Sequence, residues 1–262
     1  MLHDFELIQH QFPHDITIYP VADVHLGAME HAETEWLNFL KKVERENAYL
    51  ILAGDLLNNN TRGVRFANPF DEVLRPREAK KRMVEYLEQI KSRILCCVCG
   101  NHEARTQRDS DQDICRDICV RLDLEHVYRE NIAFMCIWLG KRNRENNALA
   151  SYSFAVTHGS FGGQLTGGAV NKNERFSQSI EGVDCFVAEH VHRGFVSKPA
   201  KIVIDPRNRR VSMRHYTVVS AVSWLNYGGY AAKAMLTPSQ VCDPQKLTLV
   251  ANKDKKQIIT TW

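Results

Sequence analysis

Residues 49–55 read YLILAGD, an uninterrupted apolar run that ends in a glycine and an aspartate. A run of this kind, without alternating polar residues, predicts a strand that is buried on both faces, as in a parallel sheet. Residues 94–100, ILCCVCG, have the same character, and residues 16–25, ITIYPVADVH, form an earlier apolar run that ends in polar residues. These three runs predict the centre of a parallel sheet.

Helical patterns lie between these strands. Apolar residues recur at three- and four-residue spacing at positions 36, 39, 40 and 43, and again at positions 83, 86, 87 and 90. Strands that alternate with helices predict parallel strands joined by crossover helices.

Longer strands with tighter connections are predicted beyond residue 130. Their sequences are AFMCIWLG, SYSFAVTHG, DCFVAEHVH, VSKPAKIVID and RRVSMRHYTVVSAV, and the turn DPRNRR joins the last two as a hairpin. The whole pattern predicts an α/β fold, a two-sheet β-sandwich flanked by helices. We expect one domain over residues 1–262.

The composition is that of a globular protein, with 262 residues, 44% of them hydrophobic and 25% charged. The first residues do not resemble a secretory signal, and no apolar run is long enough to span a membrane. Several of the eight cysteines fall in apolar strand-like runs, where thiols pack as small hydrophobic groups. We therefore expect a reduced, cytoplasmic protein without a membrane partner. The net charge of +3 is too small to establish a polyanionic partner.

Five short polar motifs follow one another, and each lies where a predicted strand ends. They are Asp23-Val24-His25, Gly54-Asp55, Gly100-Asn101-His102-Glu103, His158, and His190-Val191-His192. The carboxyl ends of the strands are where open α/β sheets bind ligands. In an extended chain, side chains two residues apart point the same way, so we expect each pair in the first and last motifs to share one face.

Taken singly, each motif has a plainer explanation, such as a surface ion pair or a histidine that binds a backbone carbonyl. Together, two aspartates, one asparagine and four histidines form an oxygen and nitrogen ligand set of intermediate hardness. Such a set suits manganese, iron, zinc or nickel better than calcium. The five motifs therefore predict a transition-metal centre.

The order D-x-H, GD, GNHE, H and H-x-H resembles that of the calcineurin-like metallophosphoesterases, over about residues 16–195. By that resemblance seven side chains hold two divalent ions: Asp23, His25 and His192 hold one, Asn101, His158 and His190 hold the other, and Asp55 bridges both. The resemblance also implies that a hydroxide between the ions attacks a phosphate ester. His102 would then contact the scissile phosphate and protonate the leaving oxygen.

The charge of such a centre suits an anionic substrate. Two divalent cations, two carboxylates and one hydroxide leave a net charge of about +1 when the imidazoles are neutral. Manganese is the ion we expect first, with iron, zinc or nickel as alternatives.

Glu189 departs from the family pattern, which usually has glycine just before the last H-x-H motif. We expect its side chain to point to solvent. The alternatives are that it crowds the centre or that it supports a ligating imidazole.

The motifs also narrow the branch of the family. Asp55 is followed by Leu56-Leu57-Asn58, not by the Asp-Arg-Gly of Ser/Thr protein phosphatases. The remaining resemblance is to bacterial and phage phosphodiesterases, including the DNA-repair nuclease and cyclic-nucleotide branches. We therefore expect a phosphodiesterase whose substrate is a nucleotide or a nucleic acid, single-stranded DNA among them. The alternatives are a phosphomonoesterase for a small substrate and a catalytically silent scaffold on the same fold.

Substrate contacts are harder to predict. Arg105 could reach a phosphate oxygen, or it could form an ion pair with a nearby aspartate. The segment after Asp55 is basic and includes Arg62, Arg65 and Phe66, which would suit single-stranded nucleic acid, but we favour an ordinary solvated surface. Trp224 could stack on a base, although a role in the core is commoner.

Overall fold

The computed structural model describes residues 5–61, 70, 72–140, 149–160, 165–252 and 256–262, except for the side chain of Tyr230. The strands in these parts are β1 (Leu7–Phe12), β2 (Ile16–Val21), β3 (Tyr49–Leu52), β4 (Ile94–Val98), β5 (Tyr128–Arg129), β6 (Ile132–Leu139), β7 (Ala150–Thr157), β8 (Cys185–Ala188), β9 (Phe195–Ser197), β10 (Ala200–Asp205), β11 (Arg210–His215), β12 (Thr217–Ser220), β13 (Lys246–Leu249) and β14 (Ile258–Thr261). The α-helices are α1 (Glu33–Arg45), α2 (Pro76–Glu88), α3 (Glu103–Ser110), α4 (Ile114–Arg121), α5 (Thr166–Ser177) and α6 (Gly229–Lys233).

The first sheet has the order β14-β13-β2-β3-β4-β5. Strands β2 to β5 are parallel, and β13 and β14 add two antiparallel strands beside β2. Helix α1 connects β2 to β3 and α2 connects β3 to β4, as the alternating pattern predicts. The carboxyl ends of β2, β3 and β4 therefore meet at one edge of this sheet.

The second sheet has the order β1-β6-β7-β8-β12-β9. Within it, β7, β8 and β12 are parallel neighbours. One continuous core includes residues of both sheets, among them Leu50 and Ile51 of β3 and Tyr152 and Phe154 of β7. The predicted α/β fold of two sheets flanked by helices is thus confirmed.

Helix α1 buries the apolar face that its sequence predicts, formed by Trp36, Phe39, Leu40 and Val43. The Trp36 ring meets the Trp224 ring edge-to-face, with centroids 5.0 Å apart. Since Trp224 is fully buried, its role is in the core rather than in stacking on a base. All eight cysteines are free, and none of the helices that the structure describes is both long and apolar enough to cross a membrane.

Two long strands predicted after residue 195 are each divided in two. The first becomes β9 and β10, separated at Lys198 and Pro199, and the second becomes β11 and β12, separated at Tyr216. Proline cannot donate a ladder hydrogen bond, and the Tyr216 N–H donates to the Pro199 carbonyl at 3.1 Å. As a result β9 and β12 belong to the second sheet, whereas β10 and β11 form a separate two-stranded hairpin.

Candidate metal centre

The seven predicted ligand residues come together at the edge where the strands of both sheets end. Asp23, Asp55 and Asn101 follow β2, β3 and β4 of the first sheet, and the histidines at positions 158, 190 and 192 follow β7 and β8 of the second. Because neighbouring strands in each set are parallel, their carboxyl ends lie side by side. The two sheets then bring the two sets of side chains face to face.

Asp23, His25 and His192 form one group of ligand atoms. Asp23 Oδ1 lies 3.7 Å from His25 Nε2 and 3.5 Å from His192 Nε2, and the two Nε2 atoms are 3.3 Å apart. Atoms that share a transition-metal ion are typically about 3 to 4 Å apart, since each lies about 2 Å from the ion. The spacing of this group fits one ion.

Asp55, His158 and His190 form a second group. His158 Nε2 lies 3.2 Å from Asp55 Oδ2, 3.2 Å from His190 Nδ1 and 2.9 Å from Asn101 Oδ1. Asp55 Oδ2 is also 3.9 Å from His25 Nε2, which belongs to the first group. This carboxylate oxygen therefore lies between the two groups, where a bridging ligand must lie.

The burial of Asp23 and Asp55 supports a cation site. Both side chains are almost completely buried, and neither oxygen of Asp23 has a hydrogen-bond partner among the residues that the structure describes. An unpaired buried carboxylate costs several kcal/mol, roughly, unless it is neutralised. The chemistry of the donor set and these two unpartnered oxygens fit a divalent cation.

The electrostatics of the centre favour positive charge. Burial alone raises the pKa of Asp23, but His192, His25 and His158 together lower it to about 2. Burial likewise lowers the pKa of His158, but the adjacent Asp55 carboxylate raises it to about 10. Burial raises the pKa of Asp55, but the nearby histidines hold it well below its usual range. Both carboxylates therefore remain ionised at neutral pH and attract cationic partners.

The backbone at the ligands is left-handed rather than extended. The φ angles are 51° at Asp23, 50° at His25, 51° at Asp55, 74° at His190 and 54° at His192. The prediction that the D-x-H and H-x-H motifs are extended segments is therefore wrong, because each begins after its strand has ended. Such backbone conformations cost about 1–3 kcal/mol per residue and concentrate at functional sites. At the ligand residues, the left-handed backbone directs the side chains of each pair toward the same cluster.

Glu103 supports the centre, a role that the motif GNHE does not reveal by itself. Its buried carboxylate accepts the N–H groups of Asp55 at 3.1 Å, Leu57 at 2.8 Å and Gly100 at 3.2 Å. Burial and the nearby Asp55 charge raise the pKa of Glu103 to about 7. Glu103 therefore connects the loop after β3 to the loop after β4. In the sequence, the signal for this role is an acidic residue directly after the predicted catalytic histidine.

The expectation that Glu189 points to solvent is wrong. Its side chain is only 2% exposed and accepts hydrogen bonds from the Ala221 N–H and from the Ser220 hydroxyl. Burial raises the pKa of this carboxyl to about 8. Since Ser220 ends β12, Glu189 connects the end of β8 to the end of the neighbouring strand, just before His190.

His102 belongs to a third group of potential ligand atoms, with His25 and Asp55, and its ring contacts Arg105. Arg105 Nη2 is 2.8 Å from His102 Nε2, and the same guanidinium donates to Asn60 Oδ1 at 2.9 Å. His102 Nε2 is 3.8 Å from Asp55 Oδ2, while its backbone N–H donates to Asp55 Oδ1 at 2.8 Å. Burial lowers the pKa of His102 to about 3, because Asp55 only partly offsets it and His25 and Arg105 oppose a further positive charge.

The basic segment after Asp55 is only partly described. Arg62, Arg65 and Phe66 lie outside the described residues. Further along, Lys80 pairs with Asp117 at 2.8 Å and Arg82 with Glu33 at 3.3 Å on the surface of α2. Both cations are paired with carboxylates, as is usual for charged side chains on the surface of a helix.

Comparisons with known proteins agree with the chemistry of the centre. The family model described as calcineurin-like phosphoesterase matches residues 16–227, more than half of the chain. A search of curated proteins found no match.

Two solved structures cover 94% of this chain and 98% of their own chains. One is YfcE, a phosphoesterase from E. coli, at 16% identity and a TM-score of 0.41. The other is a conserved protein from Streptococcus pneumoniae described as a predicted phosphoesterase, at 11% identity and a TM-score of 0.35. Neither likeness is close enough to support an inference about this chain.

Replacing Gly100 by alanine is expected to disrupt the centre. A Cβ at this position would lie 2.1 Å from both the N and the Oδ1 atoms of Asp55, far inside van der Waals contact. We expect Gly100→Ala to lower the free energy of unfolding by about 1–3 kcal/mol and to reduce the divalent metal that the purified protein retains. Urea denaturation and elemental analysis measure the two effects.

The matched control is Gly167→Ala in α5, where an added Cβ meets no atom within 4 Å. This variant should keep its metal and its stability, or gain up to about 1 kcal/mol from helix propensity. Equal behaviour of the two variants would contradict the close packing of Gly100 against Asp55.

Proposed function

We propose that this chain, which belongs to the calcineurin-like phosphoesterase family, hydrolyses phosphodiesters of nucleotides or nucleic acid. The family and the His/Asp groups establish a metal-dependent phosphoesterase. The observation that supports a two-ion mechanism is the place of Asp55 Oδ2, 3.2 Å from His158 Nε2 in one group and 3.9 Å from His25 Nε2 in the other. The proposal treats residues 1–262 as one metallophosphoesterase domain.

Seven side chains would hold the two ions. Asp23, His25 and His192 would bind one, Asn101, His158 and His190 the other, and Asp55 both. Divalent ions, when bound there, lower the pKa of water so that hydroxide forms at neutral pH, and they offset charge on a phosphate. Manganese is our first choice, and iron, zinc or nickel would suit the same donors.

Asp55 has a second role through its other oxygen. Oδ1 accepts the His102 N–H, and Glu103 accepts the Asp55 N–H, so two loops fix the orientation of the carboxylate. Because this orientation is fixed before substrate binds, little reorganisation is needed during the reaction.

His102 is the residue that we propose as the general acid. Its Nδ1 lies against the Asn58 carbonyl, which accepts the proton of that nitrogen and fixes the ring. Nε2 faces Arg105, and in this arrangement it accepts a hydrogen bond from the guanidinium and carries no proton. To protonate a leaving oxygen, Nε2 must first take up a proton from water, which it can do once the anionic substrate binds and Arg105 donates to a phosphate oxygen instead.

The charge at the site suits an anionic phosphate ester. The ions with their ligands and a hydroxide would carry about +1, and Arg105 adds one further positive charge. A phosphodiester has one negative charge, whereas a monoester approaches two at neutral pH because its second pKa is about 6. A total of about +2 would offset either ester, so the proposed preference for a diester rests on the motifs, which resemble those of bacterial and phage phosphodiesterases.

A His102→Ala variant is expected to keep its metal while turnover falls by about a hundredfold or more, the usual effect of losing a positioned acid. Steady-state kinetics and elemental analysis test this. The matched control is His14→Ala, which removes an exposed imidazole from the turn between β1 and β2. Turnover of His102→Ala equal to that of the control would contradict the catalytic role of His102.

Substrate preference is tested with two esters of the same leaving group. With manganese present, the protein should hydrolyse bis-p-nitrophenyl phosphate with a higher kcat/KM than p-nitrophenyl phosphate, and a chelator should abolish both activities. The opposite preference would contradict the diesterase proposal and favour a phosphomonoesterase. A panel with single-stranded DNA and cyclic nucleotides then separates the two proposed substrate classes.

A further inference from the structure

A cavity of about 380 Å³ lies beside the metal centre. Asn101 and His158, two of the proposed ligands, form part of its wall, so a substituent on a phosphate bound at the centre would extend into it. Its volume is at the lower end of the range for small-molecule sites, roughly 300–1,000 Å³. The space therefore suits one substituent of a phosphate ester rather than a length of polymer.

Part of the cavity wall is apolar and aromatic. Phe186 and Ala188 of β8 are buried there, as is Cys99 after β4. Phe176 of α5 packs against Phe186, with ring centroids 5.8 Å apart and the ring planes at 53°, and is 48% exposed. Part of the Phe176 ring is thus open to a ligand, and aromatic rings attract other flat rings beyond the effect of burial alone.

Other parts of the wall carry groups that form hydrogen bonds. Asn173 of α5 is only 8% exposed, and its Nδ2 donates to the Ala188 carbonyl at 3.2 Å. Gln107 of α3 donates through Nε2 to Glu130 Oε1 at 3.0 Å. Since a side-chain amide has both donor hydrogens and an acceptor oxygen, the wall suits a ligand that has groups of both kinds.

The charged side chains of the cavity balance each other. Apart from the proposed ligand His158, the charged residues among the described part of the wall are Glu130 and Lys172, one of each sign. Lys172 Nζ donates to the carbonyl of Ser160 and to its Oγ, the latter at 3.1 Å. The cavity therefore has no surplus positive charge for a second phosphate, and a neutral part of the substrate suits it best.

We propose that this cavity binds one nucleoside of the substrate, an inference that rests on the proposed function. A nucleobase has apolar faces, which suit Phe176 and Phe186, and an edge of donors and acceptors, which suits the amides of Gln107 and Asn173. A lipid chain would instead bury these amides against a surface that offers no hydrogen bonds.

The place of His102 assigns the nucleoside to one side of the scissile bond. Of the residues that the structure describes, His102 does not line the cavity, although Asn101 just before it does. The ester oxygen that His102 protonates therefore belongs to the other substituent. In hydrolysis, a hydroxide derived from water adds to phosphorus, the bond to that other oxygen breaks, and the oxygen takes the His102 proton. A nucleoside monophosphate then remains in the cavity.

Two diesters with the same leaving group test the inference. Thymidine 5′-(p-nitrophenyl phosphate) and methyl p-nitrophenyl phosphate both release p-nitrophenol, and they differ only in the substituent that stays on phosphorus. With manganese present, kcat/KM of the wild type should be about tenfold or more higher for the thymidine ester. Phe176→Ala should reduce this ratio about fivefold or more, because it removes the surface on which the base stacks. Elemental analysis should show that the variant retains its metal.

The matched control is Phe5→Ala. Phe5 is 58% exposed and packs against Phe134 with ring centroids 5.9 Å apart, so the control removes a similar ring that does not line the cavity. It should keep the wild-type ratio.

Equal kcat/KM of the wild type for the two diesters, or a ratio that Phe176→Ala leaves unchanged, would overturn this inference and leave the proposed diesterase standing. Hydrolysis of p-nitrophenyl phosphate without hydrolysis of either diester would instead overturn the proposed function, and this inference with it.

Discussion

Two buried carboxylates set the main constraint on this protein. Asp23 and Asp55 are held at the end of the sandwich with almost no exposure to water, and burial of a charge is costly unless opposite charge compensates it. The surrounding histidines keep the pKa of Asp23 near 2, so the negative charge persists at neutral pH. A pair of divalent ions is the partner that the donor atoms fit, and the remaining structure serves to place those donors.

The fold achieves this by ending parallel strands of two sheets at one edge. The strands themselves place the ligand residues at this edge. Left-handed backbone at Asp23, Asp55 and His190 then turns the side chains inward, and two buried glutamates hold the loops in place. Glu103 ties the loops after β3 and β4 together, and Glu189 ties the end of β8 to that of β12. The hydrogen bonds of these two glutamates thus stabilise the strained backbone at the centre.

Local patterns were sufficient to predict much of this architecture. The buried strand in YLILAGD and the helix containing Trp36 follow from apolar periodicity, and the gathering of the seven candidate ligands follows from polar residues at strand ends. The direction of Glu189 could not be predicted, because its partner Ala221 is 32 residues further along the chain. The division of the late strands at Pro199 and the added strands β13 and β14 likewise depend on tertiary pairing that no local pattern records.

Anomalous diffraction at the manganese edge, from crystals grown with manganese, tests the central claim most directly. The account predicts two peaks per chain on either side of Asp55 Oδ2, one within bonding distance of Asp23 and the other within bonding distance of His158. A single peak, or peaks that do not share Asp55, would contradict a two-ion centre built on these carboxylates.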